Sequence, residues 1–91
     1  MATEVIKKDG SRVAFDASKI RSVIRAAGVG ANLPEERIEE LVKNVGNVVI
    51  DAVEKSETVS TREIRAMALD ELDRIAPQVS AGWRAYDAKK E

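Results

Sequence analysis

The sequence predicts an α+β domain: an N-terminal β-hairpin packed on a bundle of about four α-helices. Three observations carry this. Two short strand-forming runs, Val5–Lys8 and Ser11–Phe15, flank Asp9-Gly10, a dipeptide suited to tight hairpin turns. Beyond residue 16, apolar residues recur at helical spacing, punctuated by capping residues, Gly and Pro. A lone hairpin is too weak to stand in water, so it must lie on those helices.

Read as a two-residue type I′ loop, Asp9-Gly10 sets the register of the hairpin. Lys8 then opposes Ser11, Lys7 opposes Arg12, Ile6 opposes Val13 and Val5 opposes Ala14. Side chains alternate along a strand, so Ile6, Val13 and Phe15 share a core-facing side and Lys7 and Arg12 share the other. Two cations facing each other destabilise the pair unless an anion lies between them. The simplest reading is a solvated hairpin whose lysines guard its edges against aggregation. The sharper one is an anion site.

The helices follow in order. Asp16 or Ser18 caps a helix beginning near Ala17, with Ile20, Val23, Ile24 and Ala27 on one face and Gly28 at the left-handed C-terminal position. Gly28-Val29-Gly30 follows a helix and lacks a third glycine, so it is a cap and loop, not a dinucleotide-binding turn. Asn32-Leu33-Pro34-Glu35-Glu36 starts a second helix, with Asn32 as its cap and carboxylates in its first turn. Its stripe is Ile38, Leu41, Val42, Val45, Val48, Val49, Ala52 and Val53, with Gly46-Asn47 as either a close helix contact or a slight kink. The glutamates at 35, 36, 39 and 40 read as solvated surface. After a polar break at Lys55–Thr58, Ser60-Thr61-Arg62-Glu63 forms a capping box with Val59 and Ile64 as its hydrophobic staple. The third helix runs from Thr61 to about Ile75 and buries Ile64, Met67, Ala68, Leu72 and Ile75. Ala76-Pro77 ends it. A last helix, roughly 78–90, carries Val79, Trp83 and Tyr86 on one stripe, the two aromatics closing the core in preference to forming a base-stacking platform.

Composition narrows the chemistry. The 91 residues make one domain, 1–91, with a modest core drawn mainly from Val, Ile, Leu and Ala, because the chain has one Trp, one Tyr and one Phe. No Cys and no His occur, which removes disulfides, thiolate nucleophiles, Ser-His-Asp triads and the usual zinc sites. Metal entry is confined to carboxylates or to Mg²⁺ riding on a nucleotide's phosphates. No P-loop motif is present. With no long apolar run and no signal peptide, a cytoplasmic protein without membrane attachment is expected. The net charge of −1 argues against nucleic acid as a partner. Charge is uneven, however: residues 1–30 hold six basic groups against three acidic ones, and residues 31–60 hold three against seven. An anion site therefore belongs toward the N-terminal end.

The stretch VIKKDGSRVAFDASKI, Val5 to Ile20, followed by Val23 and Ile24, resembles the opening of the ATP-cone. This is the regulatory nucleotide-binding domain of many ribonucleotide reductases and of the zinc-ribbon repressor of their genes. The likeness runs from about Val5 to Lys90 and is looser in the last third. It implies a hairpin on a small helical bundle with ATP or dATP between them. By position it gives Lys7 and Lys8 phosphate contacts, and Asp16 and Lys19 ribose and phosphate contacts. It adds Thr61 at the start of the third helix, Arg65 one turn on, and Lys90 near the end of the last helix. Lysines, a helix N-terminus and a hydroxyl together make a phosphate site without a P-loop. Val13 departs from the pattern, standing where the family commonly has a carboxylate. No reductase domain or zinc ribbon accompanies the cone in this sequence. The resemblance therefore implies action in trans on a protein, a ribonucleotide reductase or another, or a place in a larger protein.

The expected function is thus non-catalytic binding of an adenine nucleotide for regulation, with no base–nucleophile pair for turnover. The alternative is a degenerate cone that serves as a protein-interaction module without nucleotide. The long apolar second helix and small core also point to pairing of one flank with a second copy or with a partner protein.

Overall fold

In the computed structural model, residues 3–90 are described, without the side chains of Asp87, Lys89 and Lys90. The chain folds as β1 (Glu4–Ile6), β2 (Arg12–Ala14), α1 (Ala17–Gly30), α2 (Glu35–Glu54), β3 (Thr58–Ser60), α3 (Thr61–Ile75) and α4 (Pro77–Lys90). The α+β class and the hairpin on four helices are as expected. The sheet has a third strand, though, in the order β2-β1-β3. β3 runs parallel to β1, Val5 pairing with Val59, in a stretch expected to be a polar break up to Thr58. Three residues are too few to show an alternating pattern. Their strand character comes from pairing: the Glu4 N–H donates to the Glu57 carbonyl at 3.0 Å. The buried Thr3 hydroxyl lies 2.9 Å from the Ser56 carbonyl and ties the chain start to the end of α2.

The hairpin register differs from the expected one by a residue. Glu4 pairs with Ala14, Val5 with Val13 and Ile6 with Arg12. A type I′ loop requires positive φ at both Asp9 and Gly10, and only Gly10 has it, at 88°. The turn instead closes with the Gly10 N–H donating to the Lys7 carbonyl at 2.9 Å and the Lys7 N–H to the Ser11 carbonyl at 2.8 Å. The loop is therefore the three residues Lys8, Asp9 and Gly10, a tight turn followed by a left-handed glycine. Asp9 steadies it by accepting from the Ser11 N–H at 2.9 Å. Slipping one residue exchanges the faces of β1 relative to β2. Val5 and Lys7 now share a side with Val13 and Phe15, while Ile6 opposes Arg12. The expected Lys7–Arg12 repulsion is absent, and Arg12 instead forms an ion pair with Glu4 at 3.4 Å.

Asp16, not Ser18, caps α1, accepting from the Ser18 N–H at 3.0 Å. Gly28 lies inside α1, not at its end; a Cβ there would meet Ile38 Cγ1 at 3.0 Å, so α1 and α2 touch closely at this point. The left-handed residue that ends α1 is Asn32, at φ 60°. The Leu33 N–H reaches back to the Gly28 carbonyl at 3.2 Å and the Asn32 N–H to the Val29 carbonyl at 3.0 Å, the paired bonds of a Schellman ending. Asn32 thus ends one helix instead of starting the next, and Pro34 takes the N-cap of α2 with no side-chain cap. Glu35 and Glu36 occupy its first turn as expected. α2 runs unbroken through Gly46, where an added Cβ would meet Arg21 Cγ at 3.8 Å and Ile24 Cδ1 at 3.9 Å, ordinary contact distances that do not require a glycine.

The core gathers Val5 and Val59 from the sheet, Ile20 and Ile24 from α1, the Leu41–Val45–Val49–Val53 stripe of α2, Ala68 and Leu72 of α3 and Val79 of α4. Burial of each large aliphatic side chain contributes about 1.5–3 kcal/mol. Three details depart from the expected stripes. Val23 and Val48 are exposed, while Ile50 and Leu69 are buried. Ile64, Met67 and Ile75 are only partly buried against the core. Tyr86 does not close the core: it is 62% exposed. Among the described residues, no helix is long and apolar enough to cross a membrane.

Candidate functional site

A cleft of about 290 Å³ opens between the hairpin and the helices. Its walls come from four separate parts of the chain. The hairpin and its flanking residues supply Val5, Lys7, Val13, Ala14 and Phe15; α1 supplies Lys19, Ile20, Val23 and Ile24 behind its cap Asp16; α3 supplies Thr61, Ile64, Arg65 and Ala68; α4 supplies Trp83. The volume is near the lower end for pockets that hold small-molecule ligands.

Each polar group arrives there for a local reason. Lys7 follows the last residue of β1, and the corrected register puts it on the face of Val5 and Val13, toward the cleft. Under the expected register it faced away with Arg12. Lys19 sits in the first turn of α1. Thr61 is the first residue of α3, fixed by the capping box: the Ser60 N–H donates to Glu63 Oε1 at 3.0 Å, and the Glu63 N–H donates to Ser60 Oγ at 3.0 Å. Arg65 follows one helical turn later and so shares the face of Thr61. The first turns of two helices therefore border one cleft, an arrangement that favours anions.

Five of the seven residues expected from the sequence line this cleft: Lys7, Asp16, Lys19, Thr61 and Arg65. Lys8 does not. It occupies the hairpin turn, outside the residues that line the cleft, because the three-residue loop carries it past the end of the strand. Lys90 is the last residue of α4, and its side chain lies outside the described residues. Asp16 is committed to capping, its Oδ1 accepting both from the Ser18 N–H and from the Ser18 hydroxyl at 2.6 Å. Those bonds hold its carboxyl below the usual carboxylate range, hydroxyl first and backbone N–H second. The cleft thus carries the cations Lys7, Lys19 and Arg65 against the single carboxylate Asp16.

Between these groups the surface is apolar. Val13 lies opposite Val5 and is 38% exposed, so the β2 side of the hairpin, Val13, Ala14 and Phe15, offers the cleft no hydrogen-bonding side chain. Trp83 and Phe15, two of the chain's three aromatics, are half-buried at the cleft. Trp83 was expected only to close the core; helical spacing gives the face a residue occupies but not which neighbouring element leaves a gap over it. The arrangement suits a ligand with a flat apolar part and an anionic part: the first against Trp83, Phe15 and the valines, the second against the cations, Thr61 and the helix ends. Among the described residues no cluster of acidic side chains could hold a metal ion.

Residues 3–90 match the family profile described as the ATP cone domain. No individual curated protein matches the chain.

Proposed function

The chain belongs to the ATP-cone family, and from that premise we propose that its cleft binds ATP or dATP as a regulatory ligand and does not turn it over. The observation that carries this reading is convergence: Lys7, Lys19, Thr61 and Arg65, spread over 59 residues, meet at one apolar cleft. Lysines act as point charges toward phosphate, and the guanidinium of Arg65 can grip two phosphate oxygens at once. The adenine lies against the apolar wall with Trp83 and Phe15. Mg²⁺ enters only on the phosphates, since Asp16 is the one carboxylate of the cleft and already serves as a helix cap.

Regulation follows from the geometry of the walls. A ligand bridging hairpin, α1, α3 and α4 would tie these four parts of the chain together across the cleft. It would favour one relative arrangement by its differential affinity for it. The recipient of that signal is a protein partner, a ribonucleotide reductase or another, or a second copy of the chain. A second reading is favoured by Val13: an apolar wall at that strand position suits a protein side chain as well as a nucleotide, which makes an interaction module the alternative.

Calorimetric titration separates these. ATP and dATP should each release heat with saturable binding, GTP should bind more weakly, and a short DNA duplex should give no signal. Absence of heat from both adenine nucleotides at millimolar concentration with Mg²⁺ overturns the nucleotide reading and leaves the interaction module.

A further inference from the structure

We propose that Asp73, Ser80 and Arg84 form a clamp that sets the rotation of α4 and thereby holds Trp83 in the wall of the cleft. Helix α4 brings few large apolar side chains inward. Val79 is fully buried and Trp83 half-buried, one turn apart, while Tyr86 points to solvent. So narrow an apolar stripe fixes a helix poorly about its own axis. Beside it runs a polar stripe, Ser80 and Arg84, also one turn apart, and both side chains reach the same residue of α3. Arg84 Nη1 donates to Asp73 Oδ1 at 2.7 Å and Nη2 to Oδ2 at 2.8 Å. The Ser80 hydroxyl lies 2.5 Å from Asp73 Oδ1 and 3.1 Å from the Pro77 carbonyl.

Exposed ion pairs usually contribute little. This one differs in two respects. The guanidinium meets the carboxylate with both prongs, which fixes orientation as well as distance. Its third member, Ser80, is 1% exposed, so its hydroxyl needs the partner it finds. The Arg84 guanidinium and then the Ser80 hydroxyl hold the Asp73 carboxyl down from 3.8 to about 2, so the acceptor stays charged across the physiological range. Trp83 stands between Val79 and Arg84 in helical projection. Rotating α4 enough to lose Asp73 therefore turns the indole away from the cleft that it lines together with Ile64, Arg65 and Ala68. Asp73, Ser80 and Arg84 do not line the cleft themselves; they act through Trp83, as positioning residues.

Trp83 is the chain's only tryptophan, so its fluorescence reports the wall directly, without nucleotide. The test compares Arg84→Met, Asp73→Asn and the reversed pair Asp73→Arg with Arg84→Asp. Circular dichroism in the far ultraviolet confirms that each is folded. In Arg84→Met, emission should shift to the red and acrylamide quenching should rise, and the reversed pair should recover part of both. If Arg84→Met does not fold, Arg84→Lys, which keeps the charge and loses the two-pronged grip, takes its place with the same expectation in smaller measure. Unchanged emission and quenching in a folded clamp variant would reduce the triad to a surface ion pair and overturn the proposal. The affinity arm rests on the nucleotide reading: ATP binding should weaken on the order of tenfold, equivalent to about 1.4 kcal/mol. Wild-type protein that binds no ATP sinks that reading alone, because the fluorescence result still decides the clamp.

Discussion

Lys7 and Arg12 show how much one residue of register can decide. Both are cations on the hairpin, yet only Lys7 shares the cleft face of Val5 and Val13, while Arg12 lies across from Ile6 and pairs with Glu4. Lys7→Ala or Lys19→Ala should therefore remove most of the rise in melting temperature produced by ATP. That rise should be on the order of 10 °C at about 100 times the dissociation constant, where the ligand contributes about 2.7 kcal/mol. Arg12→Ala should leave the rise intact and the empty protein slightly less stable or unchanged, since an exposed ion pair is worth little. A thermal-shift series on the three variants checks this, and loss of the ATP effect in Arg12→Ala would return the hairpin to the other register. The resemblance to the family pattern pointed to Lys7, Lys19 and Arg65, which the fold brings to the lining of one cleft. Their faces were not, because Asp9-Gly10 is compatible with loops of two or three residues, and only the φ of Asp9 separates them. The same loop length places Lys8 in the turn, outside the residues that line the cleft.

The four helices were readable wherever capping chemistry and apolar spacing agreed. Ser60 and Glu63 satisfy each other's backbone N–H groups, and α3 starts and stops where they and Ala76-Pro77 predict. Ser60→Ala should lower stability by about 1 kcal/mol, measured by denaturant unfolding, and should also loosen Thr61 in the first turn that borders the cleft. Where one signal had two uses, the sequence misled. Gly28 has the composition of a helix end but is needed small against Ile38, and Asn32 has the composition of a helix start but supplies the left-handed residue of a helix end. β3 was illegible for a different reason: its three residues become a strand only by lying beside β1, a contact made across 54 residues of chain.

At the scale of the whole molecule, the cleft is where the hairpin, α1, α3 and α4 all come within reach of one small ligand. α2 takes no part in it; its stripe builds the core and its glutamates face outward, with Arg25 paired to Glu35 and Arg37 to Glu40. This division predicts where a nucleotide will be felt. Chemical-shift mapping with ¹⁵N-labelled protein and ATP tests it most directly. The account predicts that the Trp83 indole N–H and the amides of Lys7, Lys19, Thr61 and Arg65 shift together and saturate at a common dissociation constant, while the outer face of α2 around Glu36 and Glu40 stays still. Saturable shifts confined to α2, or no shifts in any of the cleft residues at millimolar ATP, would contradict it.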